Sequence, residues 1–194
     1  MNKIGIFGGT FNPPHMGHLI VCESILTQEK LHKIIFIPAA ISPHKRDRNL
    51  APADHRYQMT KLAIHDNPHF EVSDIEIRRG GISYTIDTLE SLCSIYPRTD
   101  FSLIIGIDNW ADFNKWKNPN EIMSVADILV MNRPGFPTAK FEYNSNKRVK
   151  FIDVPNIGIS GTMVRIHVKS GKSIKYLVPQ NVEKFIFEHS LYRE

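Results

Sequence analysis

The amino-acid sequence predicts an α/β fold, a Rossmann-like open parallel sheet with helices on both faces. Three short runs, at residues 3–7, 33–38 and 101–107, consist almost entirely of apolar residues. Strands that are buried on both faces of a parallel sheet show such continuous runs. Helical segments separate the runs, and this alternation is typical of a sheet with right-handed crossovers. The length of 194 residues is enough for one domain with a substantial core, so we expect a single domain over residues 1–194.

The spacing of apolar residues predicts the individual elements. Continuous or alternating apolar residues predict strands at 3–7, 33–38, 70–77, 101–107, 128–132 and 149–154. Apolar residues three and four positions apart predict helices at 17–30, 54–66, 83–96, 119–125, 160–169 and 180–189. Residues 133–146, with two prolines and a glycine, predict a surface loop. Ligands of open parallel sheets lie beyond the carboxyl ends of the strands, which places the residues after the first strand at the expected site.

Composition excludes several classes of protein. Hydrophobic residues make up 42% and charged residues 23%, the balance of a globular protein. The net charge of +4 suits an anionic ligand, but the two basic stretches at 44–48 and 146–150 are too short for a nucleic-acid-binding stripe, so no nucleic-acid partner is expected. No apolar run reaches the ~18–20 residues of a membrane span, and the chain begins without a signal-peptide pattern. Cys22 and Cys93 form no disulfide framework. We therefore expect a cytoplasmic protein.

The segment after the first strand has the features of a phosphate site. Gly8, Gly9 and Thr10 stand between a strand and a helix, where glycines let a ligand approach the backbone closely. The amino terminus of the helix favours an anion by roughly 0.3–1 kcal/mol. His15 and His18 are three residues apart at the predicted helix start, so both rings can face the same side and donate hydrogen bonds to phosphate oxygens.

Other interpretations of this segment are open. The H-x-x-H spacing could bind zinc, but no third ligand lies nearby, and no metal site is predicted. Either histidine could cap or pack, and the glycines could form an ordinary turn. The combination of a strand, Gly-Gly-Thr, two prolines and two histidines favours phosphate binding. It matches neither the P-loop nor the dinucleotide fingerprint, which disfavours a kinase, a GTPase or a dehydrogenase.

Two segments carry a family resemblance. GTFNPPHMGH resembles the T/H-x-G-H signature of the nucleotidylyltransferase superfamily, and ISGTMVR at 159–165 resembles its distal I-S-S-T-x-x-R motif. Ser160 or Thr162 can cap a helix whose amino terminus is a second anion site. Arg165 follows within the first turns and offers a fork of donors. Residues 155–194 are therefore expected to form a C-terminal helical segment that completes the phosphate site. The resemblance implies the nucleotidylyltransferase fold.

Further segments resemble one branch of this superfamily, the bacterial nicotinate-mononucleotide adenylyltransferases. They are SPHK at 42–45, SYTIDTL at 83–89, GIDN at 106–109 and Trp116, so the resemblance spans roughly residues 3–190. Pantetheine-phosphate adenylyltransferases lack the SYTIDTL and W-x-x-P features, and glycerol-phosphate and choline-phosphate cytidylyltransferases lack the middle segments. The resemblance implies transfer of AMP from ATP to nicotinate mononucleotide, which gives deamido-NAD and pyrophosphate in NAD biosynthesis.

The resemblance also implies the site residues. His15, His18 and Arg165 would be the catalytic group. The residues that would bind ATP are Gly8, Gly9, Thr10, Phe11, His15, His18, Lys45, Gly106, Asp108, Ile159, Ser160, Thr162 and Arg165. Those that would bind the acceptor are Ser83, Tyr84, Thr85 and Trp116. The Trp116 indole would stack on the pyridine ring, Asp108 would accept from ribose hydroxyls, and Asp87 and Thr88 are weaker candidates. Thr85 could also be a helix N-cap, a role that could coexist with binding.

The implied chemistry needs no general base, because a phosphate monoester dianion is already a nucleophile. Mg²⁺ would arrive with ATP and take few protein ligands. Two departures from the family pattern stand out: Asn12 where relatives commonly carry Asp, and Gly161 in place of the second Ser of I-S-S-T. The open alternatives are another acceptor, nicotinamide mononucleotide or phosphopantetheine, and a non-catalytic nucleotide sensor. A homo-oligomer is compatible with the sequence.

Overall fold

The computed structural model describes residues 2–43, 50–132, 135 and 148–193. Its strands are β1 (Asn2–Gly9), β2 (Lys33–Pro38), β3 (Phe70–Val72), β4 (Thr99–Gly106), β5 (Ala126–Met131) and β6 (Val149–Ile152). Its helices are α1 (Met16–Gln28), α2 (Ala53–Ala63), α3 (Ile75–Arg79), α4 (Thr85–Ile95), α5 (Ile107–Ala111), α6 (Pro119–Val125), α7 (Gly161–Lys169) and α8 (Gln180–Glu188), with a 3-10 turn at Phe113–Lys115. None of the helices within these ranges is long and apolar enough to cross a membrane.

The six strands form one parallel sheet in the order β3-β2-β1-β4-β5-β6. The chain moves outward from β1 to β3, then returns to pair β4 with the other side of β1. Strand order therefore reverses between β1 and β4, and the carboxyl ends of these two strands lie side by side at Gly9 and Gly106. This is the position at which such sheets bind ligands.

Apolar side chains alternate along the strands and fill a core on each face of the sheet. On one face Phe36 and Ile104 pack with buried residues of α1, α2, α7 and α8. On the other face Ile35 and Ile105 pack with buried residues of α3, α4, α5 and α6. Both faces are covered, which explains why the central strands are apolar at nearly every position. The predicted fold class is confirmed.

The prediction of a strand over 70–77 was wrong beyond its first residues. The strand ends at Val72, and α3 begins at Ile75. Its last ladder bond runs from the Ser73 N–H to the Phe36 carbonyl at 2.9 Å. Beyond this point a helical turn buries Ile75 and Glu76 together. Arg78 forms an ion pair with Asp74, four residues earlier, at 2.8 Å, which is a helical spacing. Burial of one face of this turn outweighs the alternating pattern.

Other differences lie at element ends. Ile107 begins α5 instead of ending β4, because Gly106 is the N-cap of that helix. The predicted loop at 133–146 lies outside the described residues apart from Gly135. Cys22 is buried in α1 and Cys93 half-buried in α4, and both are free, as the sequence predicted.

Candidate active site

A cleft of about 630 Å³ opens at the carboxyl edge of the sheet, above the junction of β1 and β4. Apart from the weaker candidates Asp87 and Thr88, every predicted site residue that the structure describes lines this cleft. These are Gly8, Gly9, Thr10, Phe11, His15, His18, Ser83, Tyr84, Thr85, Gly106, Asp108, Trp116, Ile159, Ser160, Thr162 and Arg165. The remaining predicted residue, Lys45, lies outside the described residues. The three segments of the predicted ATP site and the two of the predicted acceptor site therefore share one cavity.

Residues 8–14, which we call the phosphate loop, turn sharply between β1 and α1. Phe11 has a φ of 48°, in the left-handed region, and its buried ring packs on Gly9. A Cβ at Gly9 would lie 3.1 Å from that ring. The rings of Phe7 and Phe36 pack around Phe11 at 5.7 and 5.9 Å. These aromatic rings thus pack against the phosphate loop, and residues of the loop line the cleft.

His15 and His18 form a stacked pair, with ring centroids 3.6 Å apart. His15 is the N-cap of α1 with extended backbone, and its N–H donates to Nδ1 of His18 at 3.1 Å. Because His18 Nδ1 accepts this bond, the proton of the neutral ring lies on Nε2. His18 therefore presents a donor at Nε2. The two rings lie on the same side, as predicted, although His15 precedes the helix.

The two sequence motifs meet across the mouth of the cleft. Arg165 Nη1 donates to the carbonyl of Asn12 in the phosphate loop at 2.8 Å. Ser160 caps α7, because its Oγ accepts from the Met163 N–H at 3.1 Å. Thr162 Oγ1 lies 3.4 Å from Arg165 Nη2. The amino termini of α1 and α7 and one guanidinium thus border the same space, an arrangement suited to a polyphosphate.

The two departures from the family pattern, Asn12 and Gly161, lie in contact. Asn12 is buried, and its Oδ1 accepts from the Ala51 N–H at 3.0 Å and from the Tyr192 hydroxyl at 2.8 Å. Asn12 thus keeps an acceptor without a charge. A Cβ at Gly161 would lie 2.9 Å from the Asn12 carbonyl oxygen, the same atom that accepts from Arg165.

Replacing Gly161 with serine should therefore lower kcat by about tenfold or more, because the Asn12 carbonyl must move and Arg165 moves with it. Crowding of this kind also costs about 1–3 kcal/mol of stability. Steady-state kinetics and thermal unfolding would measure both effects. Gly158→Ser is the matched control, because a Cβ there meets no atom within 4 Å. Equal kcat values for the two variants would contradict the prediction.

The acceptor side of the cleft is built from the start of α4 and the loop around Trp116. Tyr84 is the N-cap of α4 and Thr85 its first residue, so the alternative role of Thr85 as N-cap was wrong. Trp116 follows the 3-10 turn as its C-cap, and its ring packs on Phe113 at 5.3 Å. Lys117 Nζ lies 4.8 Å over the Tyr84 ring. The Trp116 indole thus packs on Phe113 and borders the cleft.

Asp108 and the two weaker acceptor candidates differ in placement. A side chain at Gly106 would collide with the Asp108 carboxylate, so this glycine lets Asp108 fold against the end of β4 at the cleft. Asp87 accepts from Lys117 Nζ at 2.7 Å, and Thr88 is buried and bonded to Glu76 at 2.7 Å. Among the described residues, neither Asp87 nor Thr88 lines the cleft.

Known proteins share the sequence of this chain over almost its whole length. A family model described as cytidylyltransferase-like matches residues 6–166. The chain is 41% identical over 190 residues to a probable nicotinate-nucleotide adenylyltransferase of Salinibacter ruber, with 98% of this chain and 97% of that protein covered. It is 40% identical over 192 residues to the nicotinate-nucleotide adenylyltransferase of Bacillus subtilis, with 99% of each covered. The chain belongs to the nicotinate-nucleotide adenylyltransferase family.

Solved structures show the same fold. A putative nicotinate-nucleotide adenylyltransferase from Vibrio parahaemolyticus has a TM-score of 0.72 at 25% identity and covers 100% of this chain and 97% of its own. The Plasmodium falciparum nicotinic acid mononucleotide adenylyltransferase complexed with NaAD has a TM-score of 0.80 at 20% identity, with 99% and 98% covered. The nucleotidylyltransferase fold that the resemblance implied is confirmed.

Sequence reasoning missed one buried carboxylate of this family member, Glu76, which lines the cleft. Burial raises the pKa of Glu76, and hydrogen bonds from Ser83 and Thr88 with the nearby Arg79 charge only partly offset the effect. The alternating pattern of 70–77 predicts a strand and gives no sign that Glu76 is buried. The Asp74 and Arg78 pair, four residues apart, was the available signal for a helical turn.

Glu76→Gln should gain thermal stability over the wild type as pH rises from 5 to 8. Because the folded-state pKa of Glu76 is raised, its contribution to stability is present at low pH and is lost as pH rises through that pKa. Glutamine stays neutral and keeps an acceptor for the same hydroxyls. Thermal unfolding at both pH values measures the difference. Glu188→Gln, at an exposed position of α8, is the control. A pH-independent difference for Glu76→Gln would refute the assignment.

Proposed function

We propose that the protein transfers AMP from ATP to nicotinate mononucleotide, giving deamido-NAD and pyrophosphate in NAD biosynthesis. The observation that carries the proposal is the meeting of the stacked histidines with the Ser160–Arg165 motif in one cleft, bridged by the 2.8 Å bond of Arg165 to Asn12. The names of full-length relatives at about 40% identity support the same acceptor.

The chemistry follows from the charges involved. An oxygen of the acceptor phosphate forms a bond to the α-phosphorus of ATP. The bond from that phosphorus to the bridging oxygen of the β-phosphate breaks, and pyrophosphate leaves with the electron pair. The acceptor dianion needs no base, so the protein has to align two anions and stabilise the charge on the transferring group. We assign this task to His18 Nε2–H, the α7 amino terminus and Arg165.

We expect MgATP to be the nucleotide substrate. Within the described ranges no group of three His, Cys, Asp or Glu side chains could hold a metal ion. Phosphate oxygens and water would therefore supply most ligands of a magnesium ion, as this ion prefers. The cytoplasmic location and a homo-oligomeric state likewise stay predictions.

The acceptor is tested with purified protein, ATP, Mg²⁺ and one candidate acceptor at a time, with pyrophosphate release as the readout. We expect kcat/KM for nicotinate mononucleotide to exceed that for nicotinamide mononucleotide by about 10–100-fold, the value of one hydrogen bond to a charged group. Phosphopantetheine should be inert. Release with phosphopantetheine alone would overturn the acceptor, and no release with any acceptor, together with tight ATP binding, would favour the nucleotide sensor.

Trp116→Ala provides a second test of the acceptor site. Loss of the indole should raise KM for the pyridine nucleotide and leave KM for ATP nearly unchanged. Trp110→Ala is the matched control, because Trp110 also stacks on Phe113, at 5.1 Å, and is not among the described residues that line the cleft. Equal effects of the two variants would indicate packing alone.

A further inference from the structure

Arg56 in α2 is a buried cation whose hydrogen bonds all go to main-chain carbonyls. Its side chain is 1% exposed, and it forms no ion pair within the described ranges. Nε donates to Ala51 at 3.0 Å, Nη1 to Thr10 at 2.9 Å and Nη2 to Ala40 at 3.1 Å. Burial lowers the pKa of the guanidinium. A charge without a carboxylate partner is costly to bury, and an apolar side chain would fill such a site at lower cost.

The three carbonyls belong to three separate segments. Thr10 lies in the phosphate loop, Ala40 follows β2, and Ala51 precedes α2. The guanidinium is planar and its donors have fixed directions, so it holds the three backbone positions at set distances. Ala51 is also tied to the phosphate loop directly, through its N–H to Asn12 Oδ1 at 3.0 Å.

Ala40 extends this link to the acceptor side of the cleft. Its N–H donates to Ser83 Oγ at 2.9 Å, and the Ser83 hydroxyl is hydrogen-bonded to Glu76. The Ser83 N–H in turn donates to the Ile41 carbonyl at 2.9 Å. A continuous path therefore runs from Thr10 through Arg56 and Ala40 to Ser83, from the loop that faces ATP to the segment that faces the acceptor.

We propose that Arg56 is a positioning residue that sets the spacing between the phosphate loop and the acceptor segment, residues 83–89. The inference rests on the proposed function, because that reaction requires two bound anions to be brought in line. A shift of about 1 Å in such an arrangement costs about 100-fold in rate. Arg56 is not among the described residues that line the cleft, so we expect its loss to change turnover more than binding.

Arg56→Lys and Arg56→Met test the proposal. Lysine keeps the charge but lacks the planar fork, and methionine fills the space without a charge. We expect kcat to fall by about 10–100-fold in both, with KM for ATP and acceptor within about threefold of the wild type. Met59→Ala is the matched control, because Met59 is fully buried in the same helix and packs in the core away from the cleft. Met59→Ala should lower Tm and leave kcat within about twofold of the wild-type value. A kcat loss no larger than that of Met59→Ala overturns the proposal.

Hydrogen exchange gives a readout that does not depend on activity. In Arg56→Lys the amides of Ala40, Ala51 and Ser83 should exchange faster together, whereas in Met59→Ala they should follow the global change in stability. Unchanged exchange at Ala40 and Ser83 overturns the link even if activity falls. A wild type that transfers AMP to no acceptor overturns the proposed function, and the exchange result still decides the link.

Should both Arg56 variants fail to fold, Ser83→Ala cuts the far end of the path and leaves the buried charge in place. It should accelerate exchange at Ala40 and lower kcat more than it raises KM for either substrate. A rise in KM for the acceptor alone, with Ala40 still protected, overturns the proposal.

Discussion

Replacement of His18 with alanine should lower kcat for AMP transfer by about 100–1000-fold, the usual effect of removing one donor to a developing charge. The His18 ring accepts the His15 N–H at Nδ1, so Nε2–H is its donor, and His18 lines the cleft. A donor that strengthens as charge develops affects the transition state more than the bound substrates, so KM for ATP should change little. Pyrophosphate release under steady-state conditions measures both constants.

Two variants separate this role from packing. His18→Gln can return an N–H close to the position of Nε2 and should recover part of the lost turnover. His69→Ala removes an exposed histidine whose Nδ1 is bonded to the His32 carbonyl at 3.0 Å, and it should leave kcat unchanged. If His18→Ala raised KM for ATP and left kcat intact, the side chain would serve binding alone.

Replacement of Arg165 with alanine should lower kcat/KM by a similar factor, about 100-fold or more, because it removes a cation and the bridge between the two motifs. Arg165→Lys keeps the charge but not the fork, and it should recover only part of the loss, since one ammonium replaces separate donors to Asn12 and to phosphate. Single-turnover measurements at saturating ATP would separate the transfer step from binding.

Arg148→Ala is the control for this prediction. Arg148 also donates to main-chain carbonyls, those of Met123 and Ser124 at 2.9 and 2.6 Å, but at the end of α6 and outside the cleft. Its loss should cost some stability and no turnover. Full activity of Arg165→Lys would show that charge alone is required and would contradict the bridging role.

Most of the fold could be predicted because its strands are buried on both faces. Runs such as 33–38 and 101–107 are apolar at nearly every position, which is typical of strands covered on both faces of a parallel sheet. The edge of the sheet was harder to predict. Within the described ranges the edge strand Phe70–Val72 pairs with β2 alone, and after it the burial of Ile75 and Glu76 favours a helix. Local alternation carries no information about that burial.

The motifs predict which residues belong to the site, but they do not predict the hydrogen bonds that join these residues. Thr10 and Ser160 stand 150 positions apart, and the sequence indicates only that each precedes a helix. The bonds of Arg165 to Asn12 and of Arg56 to Thr10 depend on how the helices pack on the sheet. Arg56 carries no motif and belongs to a helix whose pattern is unremarkable, so only the folded chain reveals what its side chain holds.

The contact between position 161 and the Asn12 carbonyl couples the effects of substitutions in two distant parts of the chain. Because a Cβ at 161 would lie 2.9 Å from that oxygen, the two positions form an epistatic pair, and the effect of a substitution at one depends on the backbone at the other. A side chain at 161 therefore requires a phosphate loop shifted away from α7, so the residue type that this position of α7 accepts depends on a loop 149 positions earlier in the chain.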